Sequence, residues 1–285
     1  VDGRSEVSRI LNDISSNPWI FLKEYIKYFE TIKGYLLENF SLVIEGENGD
    51  SLHDLRTSCR RMETILNFLQ NYSKHELPNQ IYKNVKEILK KSSKARDYYV
   101  HLMYLKKFKE TENKVYSYFK EKLYENTKKI KDYLSSFDYS SMKKDLEYSL
   151  ALLTYDFVAG FEIGDPFFIN LYVQEIKETY GDFQKADKTD DKQLHKIRIK
   201  VKDLRYKVEM LGSLRGKTLE EENMFKEVQD ILGTHHDLVV LKKRVSKKFK
   251  VDKLPKLIAE IDEKLLENEK EINIKVTNIL TNLYF

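Results

Sequence analysis

The sequence predicts an all-α protein, and three observations carry that prediction. Glycine and proline number only 10 and 4 in 285 residues, so few positions can break a helix. The stretches between them are rich in Lys and Glu and place apolar residues at helical spacing. No stretch alternates apolar and polar residues as a half-buried strand does. Hydrophobic residues are 41% of the chain, enough for a substantial core.

Residues 1–16 are polar and are expected to fray. Asn17-Pro18 then opens a helix through cap and Pro-at-N1 logic. It carries Ile20, Phe21, Tyr25, Tyr28, Phe29, Ile32, Leu36 and Phe40 at helical spacing. Residues 45–50 form a loop, and Asp50 or Ser51 caps a helix that runs to about Tyr72. Glu76-Leu77-Pro78 ends it. One helix is expected from Asn79 through Asp97 to about Phe108, and a Lys- and Tyr-rich helix follows to about Leu134. Ser135 to Asp138 is the junction, and a second half starts near Ser141. Gly160 to Pro166 breaks a helix, another runs to Tyr180, and Gly181 to Asp191 reads as a polar loop. The next helix spans about Lys192 to Gly212. A further one opens at Gly216-Lys217-Thr218 and runs through Asp230, with Leu232-Gly233 as a bend. Pro255 precedes a long amphipathic helix ending near Tyr284. Each half then holds four to five helices.

The two halves repeat a motif. His53-Asp-Leu-Arg56-Thr-Ser-Cys-Arg60-Arg61 returns as His195-Lys-Ile-Arg198-Ile-Lys-Val-Lys202-Asp-Leu-Arg205. In both, a base follows the histidine by three residues and another by seven. A second echo, Ala95-Arg96-Asp97 and His235-His236-Asp237, follows the two histidines at nearly equal distances. Two matches in register imply an internal duplication.

Residues at i, i+3, i+7 and i+10 fall within an arc of about 80° on a helix. His53, Arg56 and Arg60 therefore form one stripe, and His195, Arg198, Lys202 and Arg205 another. The opposite faces carry Leu55, Cys59, Met62, Leu66 and Leu69 in the first copy, and Ile197, Val201, Leu204, Val208 and Leu211 in the second. Stacked cations on one helix repel by a few tenths of a kcal/mol per pair. An anionic partner would offset that cost. The Arg fork matches phosphate oxygens bidentately, Lys adds a point charge, and His donates when neutral and gains charge in mild acid. A single basic run is usually a solvated helix face, but duplication in register with the histidine included argues against that reading. Lys86 and Lys90 share a face at i, i+4, and Lys226 takes the place of Lys86 when Asp97 and Asp237 are matched. Asp97 and Asp237 could orient motif arginines or histidines, or act as caps or surface acids; both readings stay open here.

Several classes are excluded or disfavoured. The net charge is only +4, so any anion site must come from local arrangement. Cys59 is the sole cysteine, which rules out a disulfide framework or a thiolate zinc site within the chain. It matches Val201 in the second copy and reads as a small buried hydrophobe. No apolar run spans a bilayer, no signal peptide opens the sequence shown, and Trp19 at a helix start makes no membrane face.

These residues carry a resemblance to the CHAD domain, the conserved histidine α-helical domain. His53/Arg56/Arg60/Arg61 resembles the first family signature, and His195/Arg198/Lys202/Arg205/Tyr206 with Glu209 resembles the second. Ala95-Arg96-Asp97 and Leu232-Gly233 to Asp237 are similar to two further family segments. The resemblance implies one domain over 1–285, with repeat halves of about 17–134 and 141–285. It implies two four-helix bundles about a pseudo-twofold axis, with a basic groove or pore between them. It implies non-catalytic binding of inorganic polyphosphate, by His53, Arg56, Arg60, Arg61, Arg96, His195, Arg198, Lys202 and Arg205, to which the spacing adds Lys86, Lys90 and Lys226, and no cofactor is expected. A cytoplasmic setting associated with polyphosphate granules is the matching expectation. The triphosphatase domain that often accompanies this family needs a Glu-x-Glu-x-Lys strand. Glu271 to Lys275 has Asn273 at the second acid, so a stand-alone member is expected. The chain departs from the family at Glu63, where a base is usual. The second copy, with Arg198, Lys202 and Arg205, is expected to matter more.

Two other readings compete. Nucleic acid could use the same cations, with 19 Tyr and 15 Phe available for stacking, but the aromatics fall at core spacing rather than among the motif cations. A metal-dependent enzyme could use His235-His236-Asp237, but adjacent histidines on a helix diverge and match Ala95 and Arg96 in the other copy.

Overall fold

The computed structural model describes residues 6–16, 18–46, 50–72, 79–158 and 167–284. They form α1 (Glu6–Ser16), α2 (Pro18–Glu45), α3 (Ser51–Tyr72), α4 (Asn79–Lys91), α5 (Ser93–Lys107) and α6 (Asn113–Ser135). There follow α7 (Tyr139–Val158), α8 (Phe167–Lys185), α9 (Asp191–Ser213), α10 (Glu220–Lys248), α11 (Pro255–Glu271) and α12 (Thr277–Tyr284). No strand occurs among the described residues. The all-α expectation holds. Asn17, Glu76-Leu77-Pro78, the break at Gly160 to Pro166, and the side chains of Trp19, Ile20, Phe21 and Leu69 lie outside the described residues.

Several boundaries differ from expectation. Residues 6–16 form a helix rather than a frayed tail, because Val7 and Ile10 are buried on one face. Glu6 also pairs with Lys217, and Asp13 accepts from Arg215 at 2.5 Å. The helix expected over 79–108 is two helices that part at Ser92. The Ser92 hydroxyl donates to the Ile88 carbonyl at 2.7 Å, and Ser93 donates to Leu89 at 2.8 Å. Arg56 donates a third bond to the Leu89 carbonyl at 2.6 Å. Serine side chains thus offer the last carbonyls of α4 an alternative to continued helix. The expected loop at Gly181 is helix to Lys185. The expected bend at Leu232-Gly233 lies inside the unbroken α10. The closing helix contains a π-helical turn at Ile272–Val276. Gly46 and Gly216 end helical segments at φ +80° and +65°, where a Cβ is disfavoured.

The fold divides into two compact units that interleave along the chain. The first takes residues 1–93, 127–171 and 206–220; the second takes 94–126, 172–205 and 221–285. Helices α6, α8 and α9 each contribute to both, so the division is not a single cut near residue 138.

In the first unit α2, α3, α4 and α7 pack together. Tyr25, Phe29, Leu36, Leu55, Cys59, Met62 and Ile65 are fully buried or nearly so, and the Tyr25 hydroxyl donates to the Ile65 carbonyl at 3.0 Å. Cys59 is core, and its burial, working against Arg56 and Arg60, pushes the thiol up to about 12. In the second unit Leu102, Leu105, Phe119, Leu238, Leu241, Leu257 and Ile261 make the core. Asp190 caps α9 by accepting the Lys192 amide at 2.8 Å.

Candidate functional site

The first unit holds the motif of α3. His53 is exposed and Arg56, Arg60 and Arg61 are half-buried. Each arginine has a protein partner. Arg56 bonds the Leu89 carbonyl and the Ser92 hydroxyl, closing the end of α4. Arg60 pairs with Glu63 at 2.7 Å, so the acid that departs from the family pattern holds a motif base in place. Arg61 pairs through Nε with Glu209 of the α9 end, which is 6% exposed. Lys86 and Lys90 are exposed on α4, and Lys86 lies 4.1 Å from the Tyr82 ring centre.

The Arg61–Glu209 pair makes a stability prediction. Replacing Arg61 by Met removes the ion pair of a buried carboxylate, which costs about 2 kcal/mol at pH 7, below the usual range because Arg61 itself is partly solvated. Glu209→Gln in the same chain should restore most of the loss. Thermal melts of the single and double variants check this; a double variant no more stable than Arg61→Met would assign the effect to packing alone.

The second unit holds the first part of α9, together with α5 and α10. Arg198 of α9, Arg96, Tyr104 and Lys107 of α5, and Asp230 and Asp237 of α10 help line a cleft of about 340 Å³. Helical periodicity explains the α5 wall, since Arg96, Val100, Met103 and Lys107 share one face. Gly233 explains the floor. A Cβ there would stand 3.5 Å from Arg198 Nε and 3.7 Å from Nη2, in van der Waals contact with the guanidinium. Arg198 Nε is buried and has no hydrogen-bond partner among the described residues.

Asp237 faces Arg96, Arg198 and His236, with Asp97 also near. Burial raises its pKa and the three cationic or basic neighbours oppose that rise. Tyr104 closes the cleft, hydrogen-bonded to the Thr234 side chain, and its phenol pKa is raised mainly by burial. Arg205 reaches Gln229, another lining residue, at 3.4 Å. Lys202 is half-buried one turn from Arg198, and Lys226 is exposed on α10.

His195 stacks on His236 with ring centres 4.4 Å apart. His236 Nδ1 lies 3.1 Å from an Asp191 oxygen. The His195 pKa is lowered, first by burial and then by His236 and Arg198, while Asp191 opposes. His235 is buried and also lowered, chiefly by burial. Among the described residues no group of three His, Cys, Asp or Glu is placed to hold a metal.

Asp97 goes elsewhere. It accepts from Arg244 Nη2 at 2.8 Å, and Arg244 also lies over the Tyr98 ring at 4.5 Å. Sequence reasoning did not single out Arg244, Lys107 or Tyr104. The α5 face that continues from Arg96 was the available signal for the last two.

A family model, the CHAD domain, matches residues 31–246. A search of curated proteins finds no match. Among solved structures, the crystal structure of the CHAD domain from the plant Ricinus communis aligns with a TM-score of 0.64 at 17% identity, covering 92% of this chain and 90% of that one. At that identity the likeness is one of fold.

Proposed function

This chain belongs to the CHAD domain family, and on that premise we propose that it binds inorganic polyphosphate and catalyses no reaction on it. The Arg198 cleft supports the reading most directly. Arg96, Lys107 and Arg198 gather there against two carboxylates, and a buried guanidinium N–H of Arg198 has no acceptor among the described residues. Such a place favours an anion whose oxygens accept from the arginine forks. Lys202, Arg205 and Lys226 add cations and His195 a largely neutral imidazole to the same unit, while His53, Arg56, Arg60, Arg61, Lys86 and Lys90 belong to the other. A flexible polyanion draws its affinity from many modest contacts and from counterion release. Among the described residues no helix is long and apolar enough to cross a membrane.

Binding isotherms over a series of polyphosphate lengths test the reading. Affinity should rise with length until the basic surface is filled, and should fall steeply with salt. Absent or length-independent binding would defeat it. Competition by single-stranded DNA or RNA separates the alternative; equal displacement by either would favour nucleic acid.

A further inference from the structure

The cleft of the second unit is not a purely cationic one. Asp237 projects among Arg96 and Arg198, and Asp230 lines the same space. An ionised carboxylate repels a phosphate oxygen that carries no hydrogen. It attracts one that does, because a P–O–H group donates a hydrogen bond that a carboxylate accepts. Internal phosphates of a linear chain carry one negative charge and no hydrogen near neutral pH. The two end phosphates keep a second ionisation near pH ~6, as phosphate monoesters do. The charge of the lining agrees, with three bases set against two acids, so the cleft balances a singly charged group better than a run of internal phosphates.

Resting on the polyphosphate reading above, we infer that this cleft receives the hydrogen-bearing end phosphate of a polyphosphate chain, with Arg96 and Arg198 donating to its oxygens and Asp237 accepting its P–O–H. Asp237 is then a specificity-determining residue that tells chain ends from chain interiors. The groups facing it are Arg96 and Asp97 of α5, Arg198 of α9, and His236 of α10, with Tyr104 nearby. Burial raises the Asp237 pKa from its ordinary value, and the arginines oppose that rise. At pH 5.5 the free-ended chain and a chain capped to one charge per end carry nearly the same charge, so their ratio there reads the P–O–H rather than histidine titration.

The test compares a short linear polyphosphate of single length with the same chain capped at both ends as morpholidates. Capping leaves each end phosphate one negative charge and no hydrogen to donate. At pH 5.5 the free-ended chain should bind about 10-fold tighter, the worth of one charge-assisted hydrogen bond. The ratio should fall toward unity by pH 8. Asp237→Asn keeps a neutral acceptor and loses the charge, so it should shrink the ratio and bind the capped chain more tightly than the unaltered protein does. Equal binding of both chains at every pH would overturn the inference, and so would an Asp237→Asn variant that weakens both alike, since Asp237 would then only orient arginines. Inorganic phosphate bound as tightly as a chain end would overturn the assignment to chain ends. Should neither chain bind at any pH, the polyphosphate reading itself fails. The pH profile of the unaltered protein carries the test even if the variant does not fold.

Discussion

Reversing Arg198 and Arg205 together to Glu should lower polyphosphate affinity by about 100-fold or more. Arg198 is half-buried over Gly233, faces Asp237, and has a buried Nε with no acceptor among the described residues. Arg205 lies two turns on along α9 and reaches Gln229 at the edge of the same cleft. A reversed charge at either place removes a donor fork and adds a repulsion where solvent screens poorly. Lys270 is the control, exposed on α11 and away from the cleft lining. Its reversal should change affinity by no more than about 2-fold, because exposed charges are screened within a Debye length. The dependence of affinity on salt is a second readout. The double reversal should make it shallower by about one unit of slope for each phosphate that the protein no longer neutralises. Equal losses at Lys270 and at the two arginines would mean that binding follows net charge and has no defined place.

Helix content was legible because it depends on local facts: few breakers, apolar spacing and strong helix formers. What escaped depended on partners distant in sequence. Ser92 separates α4 from α5 with help from Arg56 of α3. A mid-helix serine pair looks harmless until the arginine that bonds Leu89 is placed beside it. Gly233 looks like a bend in sequence, yet α10 runs through it. The glycine matches the close approach of Arg198, a fact of packing between two helices. The α1 segment looks frayed because its buried face is only Val7 and Ile10, and its acids find Arg215 and Lys217 far along the chain.

The site was legible to a different degree. The repeated spacing identified which cations matter as candidates, since helical geometry alone puts Arg198, Lys202 and Arg205 on one stripe. It could not say which cations already have partners. Arg60 finds Glu63 three residues on, a pairing that i, i+3 logic makes readable. Arg61 finds Glu209 and Asp97 finds Arg244, and no local rule reaches either. The two motifs share a spacing, and the sequence separates them only by Glu63, whereas the three arginines of the first each close a structural contact. Arg198 of the second lines a cleft, and its buried Nε has no hydrogen-bond partner among the described residues.

Acid should destabilise the fold through His101, a residue outside both motifs. It is 1% exposed, and each ring nitrogen has a role that only the neutral imidazole fills. Nε2 lies 3.1 Å from the Asp237 carbonyl and donates to it; Nδ1 lies 3.3 Å from Arg244 Nη1 and accepts from it. A proton on Nδ1 would face the arginine. Burial first, and then Arg244, lower the pKa to about 3, with the bond to Asp237 opposing. In the unfolded chain the group titrates near its ordinary value of 6.5. Between those two values the unfolded state binds a proton that the native state does not, so stability rises with pH there. The full contribution is present above the unfolded value, and about 3 kcal/mol of it is lost by pH 4. His195 and His235 are lowered too and steepen the fall. Asp237 pulls the other way, because its raised pKa lets the native state take up a proton first. Denaturant melts of the unaltered protein and of His101→Gln, from pH 7 down to 4, resolve the share of one side chain. The glutamine amide can both donate and accept without titrating. The variant should be less stable at pH 7, having lost the ring that packs edge-on against Phe119, yet lose distinctly less with acid. Parallel pH profiles for the two proteins would mean that His101 takes up its proton in the folded state as readily as in the unfolded one, and the neutral pairing with Arg244 would have to be abandoned.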